Sequence, residues 1–280
     1  MSWVLRGPAE RFDAREWFAG PEVVERALAK QIGAMRYVEP RLLVCTAPRA
    51  TVRTTPDASA EAASEILFGE HFEIADVKSG FAFGRSLHDR YIGWVPLDVL
   101  ALPADEPTHR ITARRAPAFA AANIKSAVVM ELPYAARLTG AVTGDLVALA
   151  GGGFVHRRHV EFAPADRYAA AARFEGAPYL WGGRTPDGVD CSGLVQQAFA
   201  VEGISLRRDT DLQRQQGDAV SFAARQAGDL VFFTGHVGLL LEGDQLCHAN
   251  AHWMAVVTEP LADVMARLPG APEPIVRRLA

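Results

Sequence analysis

The sequence predicts an α+β protein in which two small antiparallel β-barrels stand before a C-terminal domain of helices and an antiparallel sheet. Three observations predict it. Residues 41–103 break into short alternating runs separated by turn residues. Residues 107–163 repeat that outline more loosely, and both stretches turn through glycine into a last strand, "GWVPLDVL" and "GGFVHRRHV". Beyond residue 165, Ala-rich helical sequence precedes a series of strand runs, the order of an α+β unit. A chain of 280 residues has ample core for more than one folding unit.

The elements follow in order. Residues 1–40 contain "GPEVVERALAKQIG", read as a short amphipathic helix: Pro21 suits the first position, Val24, Leu28 and Ile32 share a face, and Gly33 caps the end. Residues 41–104 give the strands "RLLVCTA", "ATVRTTP", "EILFGEHFEIADV", "FAFGRSL" and "RYIGWVPLDVL", a first barrel. Residues 105–164 give a second, its diverged copy, and each copy resembles the bacterial SH3-like domains attached to cell-wall enzymes. Residues 165–280 begin with the helix "DRYAAAARFEG", then the loop "APYLWGGRTPDGVD" and the helix "CSGLVQQAFAVEG". "GDLVFFTG", "HVGLLLEGD" and "QLCHANAHWMAVVTEPL" form the strands that follow.

Composition narrows the function. A formal charge of −4 leaves no footprint for nucleic acid or an anionic membrane surface, so neither partner is expected. The start shows no basic segment followed by an apolar run, and nothing approaches a membrane span, so a cytoplasmic protein is expected. Three cysteines at wide spacing make neither a disulfide framework nor a zinc pattern. His156 and His159 lie three apart on an expected strand and point to opposite faces, so no metal or other cofactor is expected.

Cys191 stands apart from the other two cysteines. Cys45 in "LLVCTA" and Cys247 in "QLCHAN" sit among aliphatic neighbours and read as inert small hydrophobes. In "VDCSGLVQQAFAV", Asp190 is a good N-cap, which puts Cys191 in the first helical turn. Free backbone N–H groups and the positive end of the helix favour a thiolate there and could also hold an oxyanion. A cysteine nucleophile needs a base, and the base an orienting partner. If Glu242, Gly243 and Asp244 form a three-residue hairpin loop, Leu241 faces Gln245 and Gly238 faces His248. His236 and His248 then emerge on one sheet face as diagonal neighbours, close enough for their rings to meet.

"PYLWGGRTPDGVDCSGLVQQAF", "GDLVFFTGHVGLLLEGD" and "LCHANAHWMAVV" together resemble the NlpC-type family of papain-like cell-wall cysteine peptidases. The resemblance implies a papain-like fold, with Cys191 as nucleophile, His236 as general base and His248 as the residue orienting it. It also implies γ-D-glutamyl bonds of peptidoglycan-derived peptides as the target, L-Ala-γ-D-Glu-diaminopimelate or its Lys counterpart. Tyr179 matches a family tyrosine near the nucleophile, and it serves equally well as an aromatic plug. Trp181 is read as packing. Asp190 and Ser192 are candidates to hold the free amine of an N-terminal L-Ala, assisted from the first barrel by Glu70 and Tyr91. Thr210 and Asp211 could line the groove, although "RRDTD" reads more simply as an ordinary charged loop. The expected activity is a dipeptidyl-peptidase acting in cell-wall peptide recycling. The competing readings are an exported hydrolase of intact wall and a catalytically inert wall-peptide binder.

Overall fold

The computed structural model describes residues 12–18, 23–103 and 105–279. The chain is sheet-rich. Near the N-terminus, β1 (Val23–Glu25) pairs in parallel with β2 (Arg36–Val38), and a single 3-10 turn, Arg26–Leu28, stands where a helix was expected. Pro21 lies outside the described residues. Two β-branched valines begin the segment, and they prefer an extended backbone. Tertiary contacts fix that choice: Val24 is fully buried, Glu25 N–H donates to Phe18 O, and the Glu25 carboxylate accepts from Arg85 at 3.1 Å. Gly33 consequently caps no helix.

The first large sheet uses β3 (Arg41–Cys45), β4 (Arg49–Arg53), β5 (Ala62–Leu67), β6 (His71–Lys78), β7 (Phe81–Ser86), β8 (Ile92–Pro96) and β9 (Leu100–Ala101). Their order is β5-β4-β8-β7-β6-β3-β9, and every pairing is antiparallel. Alternation along these strands sends Cys45, Val52, Ile66, Phe72, Ala82 and Val95 into one core.

A short pair follows, β10 (His109–Arg110) with β13 (Arg137–Leu138). Around it the second sheet runs β12 (Val128–Pro133), β11 (Arg115–Phe119), β16 (Phe154–His156), β15 (Leu146–Leu149) and β14 (Gly140–Thr143). Its own core holds Ile111, Ala116, Leu132, Leu138 and Val155. The last strand ends at His156, and α1 (Arg158–Glu161) turns His159 back toward it. The two imidazoles therefore meet edge to face at 6.2 Å rather than on opposite faces, because the expected strand becomes a helix between them. No metal-binding cluster occurs among the described residues.

The C-terminal region opens with α2 (Arg167–Ala172), capped by Asp166, and the small pair β17 (Arg184–Thr185) and β18 (Gly188–Val189). Then come α3 (Cys191–Phe199) and α4 (Thr210–Gln213). A six-stranded sheet completes it, in the order β19 (Asp218–Val220), β24 (Ile275–Arg278), β20 (Leu230–Phe233), β21 (His236–Leu241), β22 (Gln245–Asn250) and β23 (Ala255–Pro260). Helix α5 (Leu261–Ala266) precedes the final strand. Every residue of α3 is buried, and Leu194, Val195, Ala198 and Phe199 share a core with Leu230, Val237, Leu239, Cys247 and Val256. That core also takes Leu67 from the first sheet and Tyr134 from the second, so one apolar interior runs through all three. Among the described residues, no helix is long and apolar enough to cross a membrane.

The two N-terminal sheets meet at Phe68 and Gly69. Phe68 O accepts from Arg137 N–H at 2.8 Å, and Gly69 holds φ at +73° with its missing Cβ only 2.0 Å from Arg137 O. A side chain there is strained in backbone and blocked in space. Gly69→Val is expected to cost roughly 2–4 kcal/mol by combined strain and overpacking. Urea unfolding of the full chain measures it, and an unchanged midpoint would contradict this view of the joint.

Candidate functional site

Asp190 begins the site. Its Oδ1 accepts the N–H of Gly193 at 2.7 Å, which caps α3 and sets Cys191 in the first turn. Its Oδ2 accepts the N–H of Gly182 at 2.8 Å, tying down the loop before the helix. Arg208, only 1% exposed, grips the same carboxylate with NH1 at 3.0 Å and NH2 at 2.7 Å. Arg208 also donates to Ser192 Oγ at 2.7 Å and to Ser64 Oγ of the first sheet at 2.9 Å. The glycines of the loop are needed where they stand: Gly182 has φ +79°, and a Cβ on Gly183 would lie 2.4 Å from Gly188 O.

Cys191 is buried at 5% exposure, and its Sγ lies within reach of the N–H of Val237, the residue after His236. Thr210 Oγ1 is 3.8 Å from the sulfur. The three-residue loop Glu242–Asp244 sets Leu241 opposite Gln245, as the hairpin reading requires. His236 Nε2 and His248 Nδ1 consequently approach to 2.8 Å. Beyond them, Glu259 Oε1 lies 2.9 Å from His248 Nε2 and accepts from Trp253 Nε1 at 3.3 Å, while Arg267 NH1 holds Oε2 at 2.9 Å.

This line of contacts decides the tautomers. Burial opposes the charge on Glu259, but hydrogen bonds from Arg267, His248 and Trp253 hold its carboxyl down at about 2, so it only accepts. The ionised Glu259 favours the proton on His248 Nε2, over the Asn250 amide, whose nitrogen lies 2.9 Å from the same atom and donates to it in the other tautomer. His248 Nδ1 is left as an acceptor, which takes the Nε2–H of His236. His236 Nδ1 keeps a free lone pair.

Burial, with His248 adding to it, pushes the His236 imidazole down to about 3. Burial, with Asp190 adding to it, pushes the Cys191 thiol up, against the Thr210 contact. Burial thus opposes the charged form of both groups, against the help that the helix start gives a thiolate. Cys45 and Cys247 are also buried, their thiols pushed up to about 12 and about 11.

A cavity of ≈ 340 Å³ opens over Cys191. The C-terminal region supplies Trp181, Asp190, Ser192, Asp209, Thr210, Asp211 and Gly235, the first sheet adds Glu61, Ala63 and Tyr91, and the N-terminal segment adds Arg15. The structure thus brings Asp190, Ser192 and Tyr91 to the cysteine but not Glu70. Glu70 is buried elsewhere against Arg184, at 2.9 and 3.2 Å, and also accepts the N–H of Leu67 at 2.9 Å, the compensation that a carboxylate at such depth needs. Asp190 reaches the cavity with its oxygens already engaged. Tyr179 is half-buried on the core, and burial, with Cys191 and Asp190 beside it, pushes its hydroxyl up to about 12.

Trp181 is 58% exposed on the cavity rim rather than packed, because the left-handed Gly182 turns the chain outward. "RRDTD" is no ordinary surface loop: Arg208 is the buried clamp, and Asp209, Thr210 and Asp211 face the cavity. Asp209 Oδ2 accepts from Tyr91 Oη at 3.1 Å and from Arg15 at 2.8 Å, and Arg15 also spans Asp211 at 2.8 and 2.9 Å. Sequence reasoning missed Arg15, Arg208, Asp209 and Glu259. For Glu259 the available signal was strand parity, since it faces Leu246, two positions before His248.

Residues 176–266 match the NlpC/P60 family, and residues 52–100 match the bacterial dipeptidyl-peptidase Sh3 domain. The chain carries an NlpC/P60 domain. Over 89 residues it is 42% identical to the bifunctional muramidase/DL-endopeptidase CwlT of Bacillus subtilis, covering 29% of this chain and 27% of that one. Over 92 residues it is 38% identical to the gamma-D-glutamyl-L-lysine dipeptidyl-peptidase of the same organism, covering 30% and 31%. The chain thus spans about a third or less of the curated relatives just named. Among solved structures, an NlpC/P60 family protein from Bacillus cereus superposes with a TM-score of 0.73 at 21% identity, over 85% of this chain and 99% of that one. That likeness establishes a shared fold across the sheets as well as the NlpC/P60 domain. Both curated relatives are peptidases by name.

Two outcomes follow from the hydrogen-bond line. With His236 held low, the acid limb of kcat/KM on a family substrate is expected below about pH 5, since the neutral base is lost only as pH falls through its depressed pKa. A limb near the ordinary imidazole value, about 6.5, would contradict a buried neutral base. Glu259→Gln removes the carboxylate charge that steadies the two imidazoles and is expected to lower kcat on the order of 10–100-fold with KM nearly constant. That is less than the roughly 10⁴-fold loss seen when the orienting carboxylate touches the base directly.

Proposed function

We propose that this protein is a cysteine peptidase that hydrolyses the γ-D-glutamyl–diamino acid bond of peptidoglycan-derived peptides bearing a free N-terminal L-Ala. The observation that carries the proposal is the cavity itself. Cys191 lies in a pocket whose far side is built from the first sheet and the N-terminal segment, with carboxylates of Glu61, Asp209 and Asp211 against the single cation Arg15. Such a pocket is acidic on that side, which suits a peptide that ends in an ammonium group.

In this reading Cys191 Sγ attacks the γ-carbonyl carbon of D-Glu while its proton passes to His236 Nδ1. A neutral thiol and a neutral imidazole make that transfer concerted with attack. The imidazolium so formed donates through Nε2 to His248, which donates in turn to Glu259, and the carboxylate stabilises the charge across both rings. Backbone N–H at the start of α3 and the protonated Tyr179 hydroxyl hold the oxyanion. His236 then protonates the departing amine of diaminopimelate or Lys, the acyl group stays on sulfur as a thioester, and water activated by His236 releases L-Ala-γ-D-Glu. No step calls on a metal or cofactor.

Amine recognition falls to Asp209 and Tyr91 more than to Asp190, whose oxygens the Arg208 clamp already occupies. Burial pushes the Asp209 carboxyl up, against Arg208 and Arg15, so an arriving ammonium group gains a partner that prefers more positive charge. We read the second sheet as a diverged SH3-like barrel and place the boundaries of the three units near residues 104 and 164. Restriction to short free-amine peptides fits recycling of released wall peptides in the cytoplasm better than cleavage of intact wall.

Mass spectrometry of L-Ala-γ-D-Glu-diamino acid peptides tests the proposal, with Cys191→Ala as the inactive control. Free-amine peptides are expected to be cleaved, with N-acetylated ones slower by roughly tenfold or more, the worth of one charged hydrogen bond. Asp209→Asn is expected to erase that preference by raising KM for the free amine alone. Equal rates on both peptides, or release of fragments from intact sacculi, would sink the proposal.

A further inference from the structure

A second cavity, ≈ 190 Å³, lies where the first sheet, the second sheet and α3 meet. It is lined by Glu70, Arg110, Arg137, Arg184, Gln196 and Gln197 among others, and shares no lining residue with the cavity over Cys191. Three guanidiniums face one carboxylate. Glu70 is already engaged by Arg184 and lies 3.6 Å from His88 Nδ1, while Asp89 behind them is held by His88 and Gln196. Arg110 has no carboxylate partner among the described residues: it touches Gln197 Oε1 at 3.3 Å and lies 5.7 Å from the Tyr134 ring. Arg137 makes no side-chain hydrogen bond or ion pair among the described residues, and both arginines are half-buried. Burial, with Arg137 and Arg184 adding to it, pulls the Arg110 pKa down, the mark of a cation short of negative charge.

Unpartnered buried atoms point to the missing group. Gln197 is 2% exposed and its Nε2 has no partner, and the buried Nε of Arg184 has none either. Both are donors. Gln196 Nε2 is fixed by Asp89 Oδ2 and Leu206 O, both at 3.0 Å, so its Oε1 must present an acceptor, and that atom is buried without a partner. Several donors and two guanidiniums without a carboxylate among the described residues, around one fixed acceptor, describe an oxyanion that also carries a hydroxyl.

We propose that this cavity binds a phosphate group, as the free monohydrogen ion or as a monoester that keeps one proton when bound, its oxygens on Arg110, Arg137, Arg184 and Gln197 and its hydroxyl on Gln196. Guanidinium forks match phosphate geometry, and buried donors left unpaired are costly, so occupancy removes both deficits at once. Gln196 and Gln197 share a helix with Cys191, Arg184 lies on β17, and Arg110 and Arg137 lie on the paired strands β10 and β13, so the ligand fastens α3 to that pair.

Thermal unfolding of the full chain tests this in sodium phosphate, glycerol 3-phosphate, sodium sulfate and sodium chloride at matched ionic strength. Phosphate or its monoester is expected to raise Tm saturably, since a ligand bound only by the folded state stabilises it. Whichever of the two saturates at lower concentration identifies the physiological form. Arg110→Gln and Arg137→Gln are each expected to weaken the apparent affinity roughly tenfold or more, the worth of one charge-assisted bond. The alkylation rate of Cys191 serves as a check that both variants stay folded. A rise of equal size in chloride, or an unchanged affinity in both folded variants, overturns the site. A sulfate response equal to that of phosphate overturns the hydroxyl assignment and with it phosphate as the ligand.

Discussion

Most of the site depends on the buried pair of Asp190 and Arg208. One carboxylate caps α3, anchors the Gly182 turn and receives a bidentate guanidinium that also reaches Ser64 of the first sheet. Two charges at that depth are tolerable only because nearly every donor and acceptor is matched, and removing one partner of such a pair typically costs 3–5 kcal/mol. The clamp therefore does two things. It fixes the first turn that carries Cys191, and it locks the first sheet against the NlpC/P60 domain, so the wall of the cavity cannot drift from the nucleophile.

The same rigidity shapes the electrostatics. Burial in the core desolvates Cys191 and His236 alike, which opposes the thiolate and the imidazolium. In the proposed reaction charge separation is deferred until the substrate carbonyl arrives, with Glu259 two rings away to stabilise it. Arg267 and Trp253 keep Glu259 ionised and aimed. At the other end of the cavity Arg15 balances part of the acidic cluster and, through its backbone carbonyl, holds Ile92 N–H at 2.7 Å. The N-terminal segment is thus part of the pocket wall.

The sequence by itself determined the local chemistry. An N-cap directly before Cys191 and a three-residue turn between two histidine-bearing strands each depend on neighbours close along the chain, and a residue's own type and spacing decide them. The strand runs of residues 41–103 were legible for the same reason. Only the tertiary structure decided the rest. Val23 and Val24 form a strand because a parallel partner and buried contacts outweigh an amphipathic pattern. Glu70 looks like a pocket residue along the chain, but its partner Arg184 lies 114 positions away and takes it elsewhere. Arg208, Asp209, Glu259 and Arg15 acquire their roles from contacts between segments distant along the chain, and the burial that pushes the Cys191 thiol up comes from the packed core, which no local pattern encodes.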